Sequence, residues 1–110
     1  MISVKDAVGI AYEAPGHFGV YGIKKITPDQ SQKFMVNYSY FAPNGGCDMG
    51  AGPIERIYYI VSCNMECNGK NGEKHELGPG DLIYIAAGEE RDMKVTGGKP
   101  CEVLVVLAKP

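Results

Sequence analysis

Fifteen glycines and seven prolines punctuate this 110-residue chain at short intervals and leave little room for helices. Between the breaks lie short runs rich in aromatic and β-branched residues, which suit a pleated, half-buried surface. Residues 18–26 read as a first strand, and Phe34–Ala42 as a stronger one, with Asn37 and Ser39 on one face and Tyr38 and Tyr40 on the other. Asn44-Gly45-Gly46 is expected to end it. Arg56–Glu66 reads as a third strand, and Asn68–Gly72 as a hairpin turn leading back through Lys74–Leu77. Leu82–Ala86, Asp92–Val95 and Cys101–Ala108 complete the set. The last is so continuously apolar that burial on both faces is expected. Seven or eight short strands with turns roughly every ten residues predict an all-β sandwich or barrel, with residues 1–110 as a single domain.

Charge and hydropathy narrow the function classes. A net charge of -2 and a pI of about 5.6 offer no basic stripe, so no nucleic-acid partner is expected. No apolar run approaches the roughly 20 residues of a membrane-spanning helix. Met1-Ile-Ser-Val-Lys-Asp6 lacks the pattern of a secretion signal, so a cytoplasmic location is the expectation.

The four cysteines, Cys47, Cys63, Cys67 and Cys101, contain no CxxC pair. In one regular strand Cys63 and Cys67 would share a face but lie roughly 13 Å apart, too far to bridge. The favoured reading is four small buried hydrophobes. A metal or redox role stays open for Cys47, on a glycine-rich stretch.

The segment Leu77–Met93, LGPGDLIYIAAGEERDM, carries a family resemblance. A Gly-Pro-Gly-Asp turn, a short apolar strand and a second glycine turn follow one another as in small single-domain cupins, the RmlC-like jelly-roll barrels. The second cupin motif runs Gly, five residues, Pro-x-Gly, two residues, His, three residues, Asn. Here it reads Gly80, five residues, Ala86-Ala87-Gly88, two residues, Arg91, three residues, Val95. Pro43–Gly46 resembles the opening of the first motif, and Glu55–Cys63 its end. With Cys63 in the place of that motif's last glycine, its glutamate position falls on Arg56 and its histidine positions on Gly50 and Gly52, or on Met49 and Ala51. With Ser62 there instead, the glutamate survives as Glu55. In either register the resemblance implies the barrel without the three-histidine, one-glutamate metal site.

Arginine in place of the ligands implies different chemistry. In the first register Arg56 and Arg91 point into the barrel. Buried guanidinium groups need a counter-charge. Two sources stay open: an internal ion-pair network with Glu55, Glu89, Glu90 and Asp92, or a small anionic ligand, whose carboxylate or phosphate a guanidinium grips bidentately. Tyr38, Tyr40 and Tyr58 have parities that could line the same cavity, while Tyr59 and Tyr84 face the other way. His17, in a turn entering the first strand, could serve as a general base, with Tyr58 as its acid. His75 reads as a solvated strand residue.

The expected ligand-binding set is therefore Arg56, Arg91, Tyr38, Tyr40, Glu55 and Glu90, and the candidate catalytic pair is His17 and Tyr58. No metal and no cofactor are expected. Binding of a small carboxylate, phosphate or sugar-derived molecule is the leading function. A metal-independent isomerase or epimerase is the alternative. A metal-dependent dioxygenase or lyase with ligands relocated to Cys47, Asp48, Glu55, Glu90 and His17 ranks last. Exposed strand edges imply a homodimer.

Overall fold

The computed structural model describes all 110 residues, Met1–Pro110. It contains nine strands and no helix: β1 Ile10–Tyr12, β2 His17–Ile26, β3 Phe34–Gly50, β4 Arg56–Ser62, β5 Asn64–Gly69, β6 Lys74–Leu77, β7 Leu82–Ile85, β8 Arg91–Thr96 and β9 Cys101–Ala108. Every pairing is antiparallel. The order β6-β5-β8-β3-β9-β4-β7, with β1 and β2 alongside β3, wraps into a jelly-roll barrel.

β3 holds the two walls together. Its first half, Phe34–Phe41, pairs with β9, and its second half pairs with β8 from Gly46 to Gly50. Asn44-Gly45-Gly46 was expected to end this strand. Instead the chain bends there, with Asn44 at φ 66°, and passes from one wall to the other, while β2 spans the break by pairing with Phe41 before it and Gly46 after it. The expected strand Arg56–Glu66 divides for a related reason. Cys63 takes φ 104°, which turns the chain between β4 and β5 and sends them to opposite walls.

That turn places Cys63 beside the start of β9, where a disulfide joins it to Cys101 across a Cα–Cα distance of 5.0 Å. The reading of all four cysteines as free is thereby corrected. Cys63 and Cys67 indeed do not pair, but Cys63 has a partner 38 residues away that spacing alone could not indicate. Cys47 and Cys67 are free and buried. A stable disulfide is unusual in a reducing compartment, so this bond lends no support to the expected cytoplasmic location. No helix is long and apolar enough to cross a membrane.

The interior is filled in layers. Ile60 on β4, Met65 on β5, Met93 and Val95 on β8, and Cys101 and Val103 on β9 form a closed floor, each at most 1% exposed. One step further along the same strands the lining turns polar. Ile60 gives way to Tyr58 and then Arg56, and Val95 and Met93 give way to Arg91. β9 alternates strictly, with Cys101, Val103, Val105 and Leu107 buried inside and Glu102, Leu104 and Val106 half-buried outside. The expectation of burial on both faces is corrected accordingly: its outer residues belong to an apolar outer wall, where Leu104 pairs with Tyr59 and Val106 with Ile57.

Closing a loop of this length restricts the unfolded chain by about 3–4 kcal/mol. Reduction, or the Cys63→Ala/Cys101→Ala pair, is expected to lower the melting temperature by on the order of 15 °C. Scanning fluorimetry with and without a phosphine reductant checks this, and an unchanged midpoint would mean that the bond does not form.

Candidate functional site

Above the floor the barrel opens into a cavity of about 350 Å³. Its apolar wall is made by Val20, Phe41, Val105 and Leu107, and its polar wall by Tyr12, His17, Asn37, Ser39, Arg56, Tyr58 and Arg91. No aspartate or glutamate lines it.

Arg91 opens β8 and is only 8% exposed. Its Nη1 donates to the Gly50 carbonyl at 3.0 Å and its Nη2 to the Tyr58 hydroxyl at 2.9 Å. Its Nε–H is buried without an acceptor. Burial works against the charge, but Tyr58, Cys47 and Cys67 together outweigh it and hold the pKa above the ordinary arginine value. Arg56 is half-buried, and its one hydrogen bond is a long one, 3.4 Å from Nη2 to the Ile54 carbonyl. Its guanidinium lies against Gly52, where a Cβ would come within 2.1 Å of Nη2.

The internal partners expected for these arginines are all engaged elsewhere. Glu55 accepts from the Tyr84 hydroxyl at 3.1 Å on the outer wall. Glu89 accepts from the Ala86 N–H in its own turn. Glu90 pairs with Lys70 at 2.8 Å, and Asp92 accepts from Asn68. The ion-pair network is therefore absent, and Glu55 and Glu90 do not reach the cavity. Both belong to turns and outward positions, where their carboxylates stay hydrated or meet surface partners.

Tyr38 and Tyr40 are likewise corrected. In β3 the cavity-facing residues are Asn37, Ser39 and Phe41. Tyr38 points outward, bonded to Glu102 at 3.3 Å, and Tyr40 stacks on Tyr21. Tyr38 has its pKa pushed up to about 12, first by burial and then by the Glu102 carboxylate. The register is fixed by Ser39 lying between Gly22 of β2 and Val103 of β9, both on the inner face. Tyr58 does face inward, as do Arg56 and Arg91.

His17 reaches the cavity from the start of β2. Its Nδ1 lies 2.9 Å from the Pro15 carbonyl, which can only accept, so Nδ1 carries the hydrogen and Nε2 is left with a free lone pair. Burial, with Arg91 and Arg56 adding to it, lowers its pKa below 6.5 and keeps the ring neutral at neutral pH.

Tyr12 is a lining residue that sequence reasoning missed. It sits on the three-residue strand β1, and its ring packs where a side chain on Gly22 would stand, with a Cβ only 2.4 Å from the ring. Its hydroxyl accepts from Asn37 Nδ2 at 2.9 Å, and burial raises its pKa. The only foretaste was a glycine at an inward position of β2, which implies that something large lies over it.

A transition metal does not suit this donor set. The lining offers one imidazole among arginines, phenols and an amide. Nowhere do three or more histidine, cysteine, aspartate or glutamate side chains converge. Cys47, Asp48, Glu55, Glu90 and His17 are thus not gathered into a relocated metal site. The thiols of Cys47 and Cys67 are also pushed up by burial, Cys67 to about 11, which disfavours the thiolate that a metal would need.

Comparison with known proteins agrees with this architecture. The polyketide cyclase RemF from Streptomyces resistomycificus superposes with a TM-score of 0.84 at 27% identity, over 98% of this chain and 79% of that one. A predicted oxalate decarboxylase from Thermotoga maritima superposes with a TM-score of 0.83 at 17% identity, over 99% of this chain and 100% of that one. An RmlC-like cupin from Shewanella frigidimarina gives 0.78 at 11% identity, over 96% and 88% of the two chains. At the last two identities the likeness is one of fold alone. No curated protein matches the chain. Residues 40–107, well over half of the sequence, match the cupin domain, and the chain belongs to that family.

Proposed function

We propose that the barrel binds a small organic anion, with Arg91 and Arg56 supplying the counter-charge. One observation carries this reading: two guanidinium groups face a cavity that no carboxylate lines. A buried charge left in that state costs several kcal/mol, and an anionic ligand is the natural remedy. Arg91→Met is expected to remove binding of organic acids without destabilising the free protein, since relief of the uncompensated charge offsets the loss of its two hydrogen bonds. Calorimetric titration with carboxylates, alongside thermal melts, checks both halves. Undiminished binding by the variant would refute the reading.

A second reading has its own support. His17 presents a neutral nitrogen to the cavity, and Tyr58 presents a phenol fixed by Arg91. Together they form a base and an acid beside two cations, a set suited to moving a proton from a carbon next to a carbonyl. The lone pair of His17 Nε2 takes the proton, the C–H bond pair forms the enolate C=C bond as the carbonyl π pair moves onto oxygen, and an arginine stabilises that oxyanion. Tyr58 is placed to return a proton. The likeness to a polyketide cyclase, at 27% identity over nearly the whole chain, favours such carbonyl chemistry. Deuterium exchange at C3 of 2-oxoglutarate, the carbon next to its ketone, followed by NMR in D2O, is expected to rise with pH as His17 loses its proton below 6.5 and to vanish in His17→Gln. A rate equal to that of buffer alone would remove the catalytic reading and leave the binding one.

We also propose that the outer wall pairs two copies of the chain. Ile57 and Tyr59 on β4 and Leu82 and Tyr84 on β7 are exposed, and cross-strand pairs place them in one patch that continues onto Leu104 and Val106. A contiguous apolar patch of this kind commonly marks an interface. Light scattering after size exclusion is expected to give twice the monomer mass, and Tyr59→Glu/Leu82→Glu is expected to return the monomer. A wild-type monomer at high micromolar concentration would refute this.

A further inference from the structure

The charge of the lining also constrains what fills it. Arg56 and Arg91 contribute two positive charges, His17 is neutral, and the remaining polar groups are phenols, a hydroxyl and an amide. A single carboxylate would neutralise one guanidinium and leave the other without a counter-charge. That remainder falls on the half-buried Arg56, where water screens it only in part and a second negative charge would still be favoured.

The two arginines occupy different depths. Arg91 is nearly sealed, and two hydrogen bonds hold it in one orientation. Arg56 is half-buried and held by one long contact, and it lies on Gly52 with nothing else fixing its fork. The first is a rigid inner station and the second an adjustable outer one. Between and beside them run the hydrocarbon surfaces of Val20, Phe41, Val105 and Leu107. A strongly hydrated inorganic dianion would gain nothing from these surfaces, whereas a carbon skeleton would bury against them. The volume of about 350 Å³ holds roughly a dozen water-sized groups, enough for a short carbon chain with an acid at each end.

Building on the anion reading above, we infer that the ligand is a dianion with two acidic groups on one carbon skeleton, a dicarboxylic acid. One carboxylate meets Arg91 beside Tyr58, and the other meets Arg56 at the cavity mouth.

The test is a calorimetric series on the wild-type protein. The dicarboxylates from malonate to adipate are compared with the monocarboxylates of equal carbon number and with inorganic phosphate. At least one dicarboxylate is expected to bind about tenfold or more tightly than its matched monoacid, as close charge pairs in a desolvated site do. In Arg56→Met that advantage is expected to disappear. Should the monoacids bind as well as the diacids, one charge suffices and this inference falls, while the anion reading stands. If phosphate matches the best diacid, the carbon skeleton contributes nothing and the inference falls as well. If neither the acids nor phosphate bind, the anion reading falls with it. Should Arg56→Met fail to fold, the wild-type ratio of diacid to monoacid still decides.

Discussion

Everything distinctive about this barrel follows from a positive charge held out of water without a negative partner. Arg91 sits at the boundary between a packed floor and an open cavity, fixed by a backbone carbonyl and a phenol, neither of which carries charge. A protein that needed only stability would place a methionine or leucine there, as it does one step below with Met93. Each carboxylate close to Arg91 in sequence is tied up elsewhere, by a turn, an amide or a surface lysine, so none can fold back to neutralise it. The same charge adds to the burial that keeps His17 neutral.

The architecture explains how such a charge is tolerated. The layer beneath is sealed by valine, isoleucine, methionine and cysteine side chains from both walls, so the folding core is complete before the polar layer begins. β3 makes this possible by serving both walls at once, and the Cys63–Cys101 bond ties the point where the chain leaves one wall to the strand that crosses its middle. The cavity can then be built from strand ends and two short approaches, 12–17 and 51–53, rather than from the core itself.

Much of the fold was legible in the sequence because it rests on local signals. Turn residues marked most boundaries, and alternation marked most strands. The inward placement of Arg56 and Arg91 could be read because they fall at positions defined by the spacing of the family's turns. What could not be read depends on non-local geometry. The parity of β3 was ambiguous because the barrel is apolar outside as well as in, so tyrosines on one face and Asn37 and Ser39 on the other gave the opposite of the usual signal. Continuation of β3 through Asn44–Gly46 depends on β2 and β8 holding it on either side. The disulfide depends on a left-handed residue at position 63, and the role of Tyr12 on a glycine ten residues away.

Gly52 gives the mouth of the barrel an unusual freedom. Because the Arg56 head group rests on bare backbone, its reach is set by a long flexible stem rather than by packing, while two hydrogen bonds hold the deeper guanidinium. The arrangement resembles a vice with one fixed jaw and one sliding jaw. On the anion-binding reading proposed above, such a pair would accommodate guests of different span, and a change in the single loop around Gly52 would retune it without touching the sealed floor.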